Sequence, residues 1–279
     1  MDLHPATAAM LTSAWHPPGN AGVSVVLILT YHSIDCSGSI ISTSPNRFHR
    51  QIRSLSESAF EVLPLSEIVC RLEEKVALPP RAAAITFDDG YRNVYSAAWP
   101  VLSENQLPAT VFLVPGLCGG KNEWVGQAAG VPPMNLLRWE EIAEMSRNGM
   151  DFGAHSMTHA DLSRLSSDRA RAEVVDSKSA VEDRLGRPVD FFAWPFGRVN
   201  HDLNGVIREH FAGAITVEMD YVTEQSNPYK LPRIDMYYFS RNERFQGLGG
   251  RGFARYIAFR RILRSVRARL SAAITIGDI

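Results

Sequence analysis

Two short stretches hold the residue types most able to do chemistry together. Thr86-Phe87-Asp88-Asp89-Gly90 sets two carboxylates side by side. Adjacent carboxylates repel each other unless something positive lies beside them, and a metal ion can fill that place. One Asp then ligates while the other stays free as a base, and Gly90 allows the backbone to turn tightly. The ordinary reading of the same letters is an Asp-Asp-Gly turn, which is common. The second stretch is His155-Ser156-Met157-Thr158-His159. Side chains four apart lie on one side of a helix or a strand, and a short loop can converge them equally well. Two imidazoles with one carboxylate form a zinc set that keeps a coordination position open for water. Each stretch is weak evidence alone; together they nominate a metal site on His155, His159 and one of the two Asp residues.

These side chains need a scaffold, and the chain alternates strand-like with helix-like segments. Strands are predicted at 23–31, 82–87, 109–114, 151–154, 191–193, 212–217 and 231–234. Helices are predicted at 47–58, 65–75 (with Ser66 as N-cap), 94–105, 139–147 and 167–185, the last ending at Gly186. Repeated β-then-α units point to a parallel sheet or barrel. Tyr31-His32, Asp88-Asp89, His155 and Pro195-Phe196 all stand where strands run out, the edge on which parallel α/β folds build their sites.

In these motifs the chain resembles the polysaccharide deacetylase family, the NodB-homology group of carbohydrate esterase family 4. Residues 86–90 match its first motif and His155-Ser156-x-Thr158-His159 its second. Residues 191–197, Phe-Phe-Ala-Trp-Pro-Phe-Gly, resemble the third. Leu29-Thr30-Tyr31-His32-Ser33-Ile34 resembles the early Tyr-His segment of the subgroup acting on poly-N-acetylglucosamine. The resemblance spans about residues 24–235. It implies an α/β fold, a distorted (β/α) barrel with fewer than eight complete units. It also implies a metal-dependent hydrolase that removes N-acetyl groups from amino sugars of a glycan or glycan precursor. Asp89, His155 and His159 would hold the ion, zinc by default with cobalt or nickel as alternatives. Asp88 would activate the metal-bound water, and the backbone near Phe196 and Pro195 would face the oxyanion. An O-acetyl esterase or non-sugar amidase with the same site is the alternative, as is a degenerate glycan-binding protein.

The chain departs from the family pattern in three places. No His follows His210, so His32 is the candidate proton donor. No Arg precedes Pro195, so Arg233 is expected to reach back and orient Asp88. Phe196 replaces the usual Tyr, which removes a hydroxyl contact to sugar. Trp194 and Trp124 are candidate sugar-stacking surfaces or core residues, and Tyr31 is a candidate substrate contact.

Bulk properties narrow the remaining classes. A chain of 279 residues with 45% hydrophobic content can bury a full core, and a formal charge of −1 gives no overall bias toward nucleic acid. Cys36, Cys70 and Cys118 are sparse and unpaired in spacing, so they read as reduced, semi-buried packing residues rather than a disulfide framework. The first basic residue is Arg47, after the only early apolar run, so no secretory signal is expected and the location is read as cytoplasmic. The predicted organisation is a tail over 1–22, a catalytic domain over 23–240 and an Arg-rich extension over 241–279. Between 241 and 270 stand nine Arg and one acid, Glu243. Interleaved apolar residues make this a basic amphipathic helix, a means of docking on the inner face of an anionic membrane beside a lipid-linked glycan. Otherwise it packs on the domain with a solvated Arg face. No nucleic-acid module accompanies it.

Overall fold

The computed structural model describes residues 24–239, 245 and 248–276, with side chains as far as 263. The proposed tail over 1–22 and residues 241–244 lie outside them. The chain forms two compact units, one over Ser24–Gln246 and one that includes Gly247–Ile279.

The first unit is a parallel α/β assembly. Its strands are β1 (Val25–Tyr31), β2 (Glu61–Val62), β3 (Arg81–Phe87), β4 (Thr110–Leu113), β5 (Asp151–Ala154), β6 (Phe191–Ala193), β7 (Gly213–Ile215) and β8 (Ile234–Asp235). Its helices are α1 (Pro45–Ser56), α2 (Leu65–Glu73), α3 (Trp99–Glu104), α4 (Trp139–Arg147), α5 (Ser167–Leu185) and α6 (Asn204–His210). The sheet runs β7-β6-β5-β4-β3-β1-β8, with β2 paired to β3 off that path. All of its ladders are parallel. Its two ends approach through Leu231, whose N–H donates to Ala214 O (2.9 Å) and whose carbonyl accepts from Thr216 N–H (2.9 Å). The result is a distorted barrel with fewer than eight complete units, as the resemblance implies.

The strands read as continuous apolar runs because helices and loops cover both faces. Every residue of β1 is buried. Val26, Ile28, Ala84 and Phe112 pack with Ile68 and Val69 of α2 in one cluster. Pro45 opens α1, where its missing N–H costs no helical bond. Gly186, at φ 65°, closes α5 in the left-handed conformation.

Three local expectations are corrected. Pro64, not Ser66, occupies the cap position of α2. Residues 94–98 form a π-helical turn before α3 rather than α-helix. Pro100 has no N–H to bond back four residues, and the Trp99 N–H instead reaches Val94 O. Cys36 and Cys70 are exposed rather than semi-buried, and only Cys118 is intermediate. The second unit contains α7 (Arg251–Ile276). Among the described residues no helix is long and apolar enough to cross a membrane.

Candidate metal centre and catalytic site

The chemistry-bearing residues gather beyond the C-terminal ends of β1, β3, β5 and β6. After β3 the chain passes through Asp88 and turns at Asp89 (φ 69°) and Gly90 (φ 68°). Two successive left-handed residues bend the backbone sharply, and Asp tolerates that region better than most side chains. After β5 come His155 and then Ser156 (φ 61°) and His159 (φ 58°), so a strained loop rather than a helix converges the two imidazoles. The loop is tied on both sides. Met157 N–H donates to Glu173 O (3.0 Å), while Thr158 N–H and Oγ1 donate to the Glu173 carboxylate (2.9 and 2.7 Å). Gly116 N–H donates to Met157 O (3.0 Å).

The Asp89, His155 and His159 ligand atoms lie within 4.8 Å of one another and all three residues are buried. His155 Nε2 and His159 Nε2 stand 3.4 and 3.3 Å from Asp89 Oδ1. His155 Nδ1 lies 2.7 Å from Ala193 O. A carbonyl can only accept, so Nδ1 carries the proton and the Nε2 lone pair is left for a ligand. Burial pushes the Asp89 carboxyl up, but His159 and His155 outweigh it and hold it well below the usual carboxylate range. An ionised carboxylate with two neutral-capable imidazoles, all buried, fits a divalent cation of the zinc class.

Asp88 is buried and takes no place among those ligand atoms. Arg233 grips it with both arms of the guanidinium, NH1 to Oδ1 at 2.7 Å and NH2 to Oδ2 at 2.6 Å. The Arg233 Nε–H donates to Thr216 O (2.8 Å), which sets the fork's direction. The predicted reach of Arg233 to Asp88 is therefore present. Burial raises the Asp88 carboxyl, and Arg233, aided by His155 and His32, more than reverses this, leaving it below its ordinary value. Arg233→Met should strand a buried carboxylate and raise its pKa. Because the base must be ionised, the acidic limb of the kcat/KM profile should move to higher pH, with a smaller move for Arg233→Lys. A limb that stays in place in both variants would remove Arg233 from the chemistry.

His32, at the end of β1, points its Nε2 to within 3.7 Å of Asp88 Oδ2 and is partly exposed, at 21% of its side chain. Phe196 adopts φ 56° beyond β6. Its ring meets the His159 ring edge-on at 4.5 Å. Trp124 packs against the other side of His159, at 4.3 Å.

Burial separates the two alternatives for Trp194 and corrects the expectation of a substrate contact for Tyr31. Trp194 is 1% exposed and meets Phe192 edge-on, so it is core rather than a stacking surface. Tyr31 is also 1% exposed and donates its phenol to Gln51 Oε1 at 3.1 Å. Pro195 is buried, so only the backbone around it is available to a substrate. The Trp194 and Tyr31 side chains are both buried in the packed core, which the motif letters do not reveal.

Residues 75–212 match the family model described as polysaccharide deacetylase. With the Asp-His-His set in place at the strand ends, this decides the family. The chain belongs to the polysaccharide deacetylases. It is 25% identical to the YxkH protein of Bacillus subtilis (strain 168) over 231 residues, 82% of this chain and 75% of that protein. It is 28% identical to the poly-beta-1,6-N-acetyl-D-glucosamine N-deacetylase of Staphylococcus aureus (strain N315) over 208 residues, 69% of this chain and 67% of that one. Among solved structures, IcaB from Ammonifex degensii aligns with a TM-score of 0.67 at 22% identity, covering 81% of this chain and 96% of that one. That likeness shows the fold.

Two features of this deacetylase-family site were missed in the sequence. Tyr91 is fully buried behind the Asp-Asp-Gly turn and accepts from Asn122 Nδ2 (3.2 Å), bracing the loop that carries Trp124. A cleft of about 680 Å³ opens beside His159, lined by Trp124, Phe196, Thr158, Arg164, Arg169 and Arg198 among others. Position next to Gly90 could have flagged Tyr91. Nothing in the spacing of the Arg residues marks the cleft.

Proposed function

We propose that this enzyme hydrolyses the N-acetyl group of an amino sugar in a glycan or glycan precursor. One observation carries the reading: a buried carboxylate held ionised by Arg233 stands beside, and separate from, a buried Asp-His-His ligand set. A divalent ion on Asp89, His155 and His159, zinc by default and otherwise cobalt or nickel, would polarise the acetyl carbonyl and acidify the attacking water. Asp88 accepts the proton of that water, with Arg233 keeping the carboxylate oriented and charged until then. The Phe196 N–H donates to the oxyanion as charge develops on the carbonyl oxygen. His32 delivers a proton to the departing amine, which is a poor leaving group unless protonated.

The poly-N-acetylglucosamine relative and the metal-site geometry support an N-acetylated amino sugar as substrate. The cleft beside His159 has room for a neighbouring sugar residue, and Trp124 and Phe196 supply aromatic walls. We also propose that the glycan, or its lipid-linked precursor, is met at an anionic membrane surface, the setting that the basic segment 241–270 suits.

Acetate release from zinc-loaded protein tests the reaction. N-acetylglucosamine oligomers should yield acetate, whereas acetylated xylan and small acetamides should not. Release from xylan alone makes the protein an esterase. Stoichiometric metal with no release from any substrate makes it a binding protein. For His32, the pH–rate profile decides: His32→Ala should lose the alkaline limb, and a limb that persists places the acid elsewhere.

A further inference from the structure

The sequence of α7 contains seven Arg (251, 255, 260, 261, 264, 267 and 269) and no acid or Lys over its 26 residues. Such a helix carries seven positive charges with no acid of its own. Its apolar residues are not scattered. Phe259, Ile262 and Leu263 are 55%, 56% and 44% exposed, which is unusual for large apolar side chains on a helix. They stand at i, i+3 and i+4, and Val266 and Leu270 continue the spacing at i+7 and i+11. At about 100° per residue these five positions fall within an arc of roughly 100°. Arg260, Arg261, Arg264 and Arg267 fall outside that arc, and Arg251 and Arg255 precede it along the helix. Exposed Phe259, Ile262 and Leu263 on one helix face, in a sequence whose apolar spacing continues and is interleaved with Arg, make the pattern of a helix that lies in a membrane interface. At 26 residues this element is long enough to span, but its Arg content leaves no stretch apolar enough to cross.

We propose that α7 docks the protein on an anionic lipid surface, with Phe259, Ile262 and Leu263 entering the acyl boundary and the Arg residues meeting lipid phosphates. Charge complementarity selects this occupant. A second copy of the chain would bring one set of seven Arg against another, which repels, whereas an anionic leaflet neutralises them. The stripe adds what a purely electrostatic contact with a polyanion does not need, namely apolar side chains aimed outward.

The experiment is co-sedimentation of full-length protein with vesicles of phosphatidylcholine alone and of phosphatidylcholine with 30% phosphatidylglycerol (a composition of about that proportion suffices). Wild-type protein should pellet with the anionic vesicles at least about tenfold more strongly than with the neutral ones, and rising salt should release it. Phe259→Ser/Ile262→Ser/Leu263→Ser should lose about tenfold of that binding while keeping all seven Arg. These residues are solvent-exposed, so the triple variant should fold, and its circular dichroism and acetate release from a soluble oligomer should match wild type. Equal pelleting on both vesicle types, or wild-type pelleting by the triple variant, overturns the proposal. So does sedimentation velocity showing a dimer that the triple variant abolishes with no vesicle binding, or tight duplex DNA binding with none to vesicles. Vesicle binding is read without substrate, so its failure is separable from failure of the deacetylase reading.

Discussion

Asp89→Ala and His159→Ala should each lose bound metal and, with it, turnover on any N-acetylated oligomer. The cause is geometric. The three buried ligand atoms lie within 4.8 Å of one another, and among the described residues no further His, Cys, Asp or Glu joins that group to take over when one is removed. Elemental analysis of the purified variants reads the metal, and acetate release reads the turnover. Thermal unfolding supplies a third readout. A metal that binds only the folded state stabilises it by about 2.7 kcal/mol at a hundredfold excess over Kd. Wild-type protein should therefore melt higher when zinc is added, and Asp89→Ala should not. Full activity in a metal-free variant would end the metal-centred reading altogether.

Asp88→Asn should retain stoichiometric metal and lose about 10²- to 10⁴-fold in kcat, the usual range for removing a general base. An amide is nearly isosteric with the carboxylate but cannot accept a proton from water. The ligand set is untouched by the change, since Asp88 contributes none of its atoms. The variant should also melt lower, because Arg233 is then a buried guanidinium facing a neutral amide. Removing one partner of a buried ion pair costs about 3–5 kcal/mol. An Asp88→Asn protein with intact metal and near wild-type turnover would falsify the base assignment.

The division of labour between the two adjacent Asp residues follows from where each side chain goes. Asp88 still follows the direction of β3 and meets Arg233 inside the barrel. Asp89 is already in the left-handed turn and faces the imidazoles. A change of φ between neighbours separates a ligand from a base, so two like charges one residue apart serve different partners. In wild-type protein the depressed Asp88 value keeps the base ionised well into mildly acidic solution. Loss of activity on acidification should therefore be late in wild type and early once Arg233 is replaced.

Much of the strand placement along the chain and the ligand set was legible in the letters. Apolar runs such as 25–31 and 82–87 end in polar residues that cannot pack in a sheet core, and this pattern alone located His32, Asp88-Asp89 and His155. The Arg233 reach was legible too, from the lack of an Arg before Pro195 and the short apolar stretch around 231–234. Side-chain direction at strand ends was less readable. Trp194 and Tyr31 have the chemistry of sugar contacts, yet tertiary packing buries both in the core, where the phenol finds Gln51. The π-helical turn at 94–98 depends on Pro100, and its effect on bonding five residues back is visible only in three dimensions.

Sequence by itself determined which groups can ligate, which can take a proton and that parallel strands deliver them to one edge, because residue type and hydrophobic period are local properties. Tertiary structure decided which residues meet. It brought Arg233 onto Asp88 across 145 positions of chain. It proved that a loop tied to Glu173, not a helix, converges His155 and His159. It aimed the His155 lone pair by donating Nδ1–H to Ala193. Those contacts are made between segments remote in sequence, and only closure of the barrel brings them within hydrogen-bonding distance.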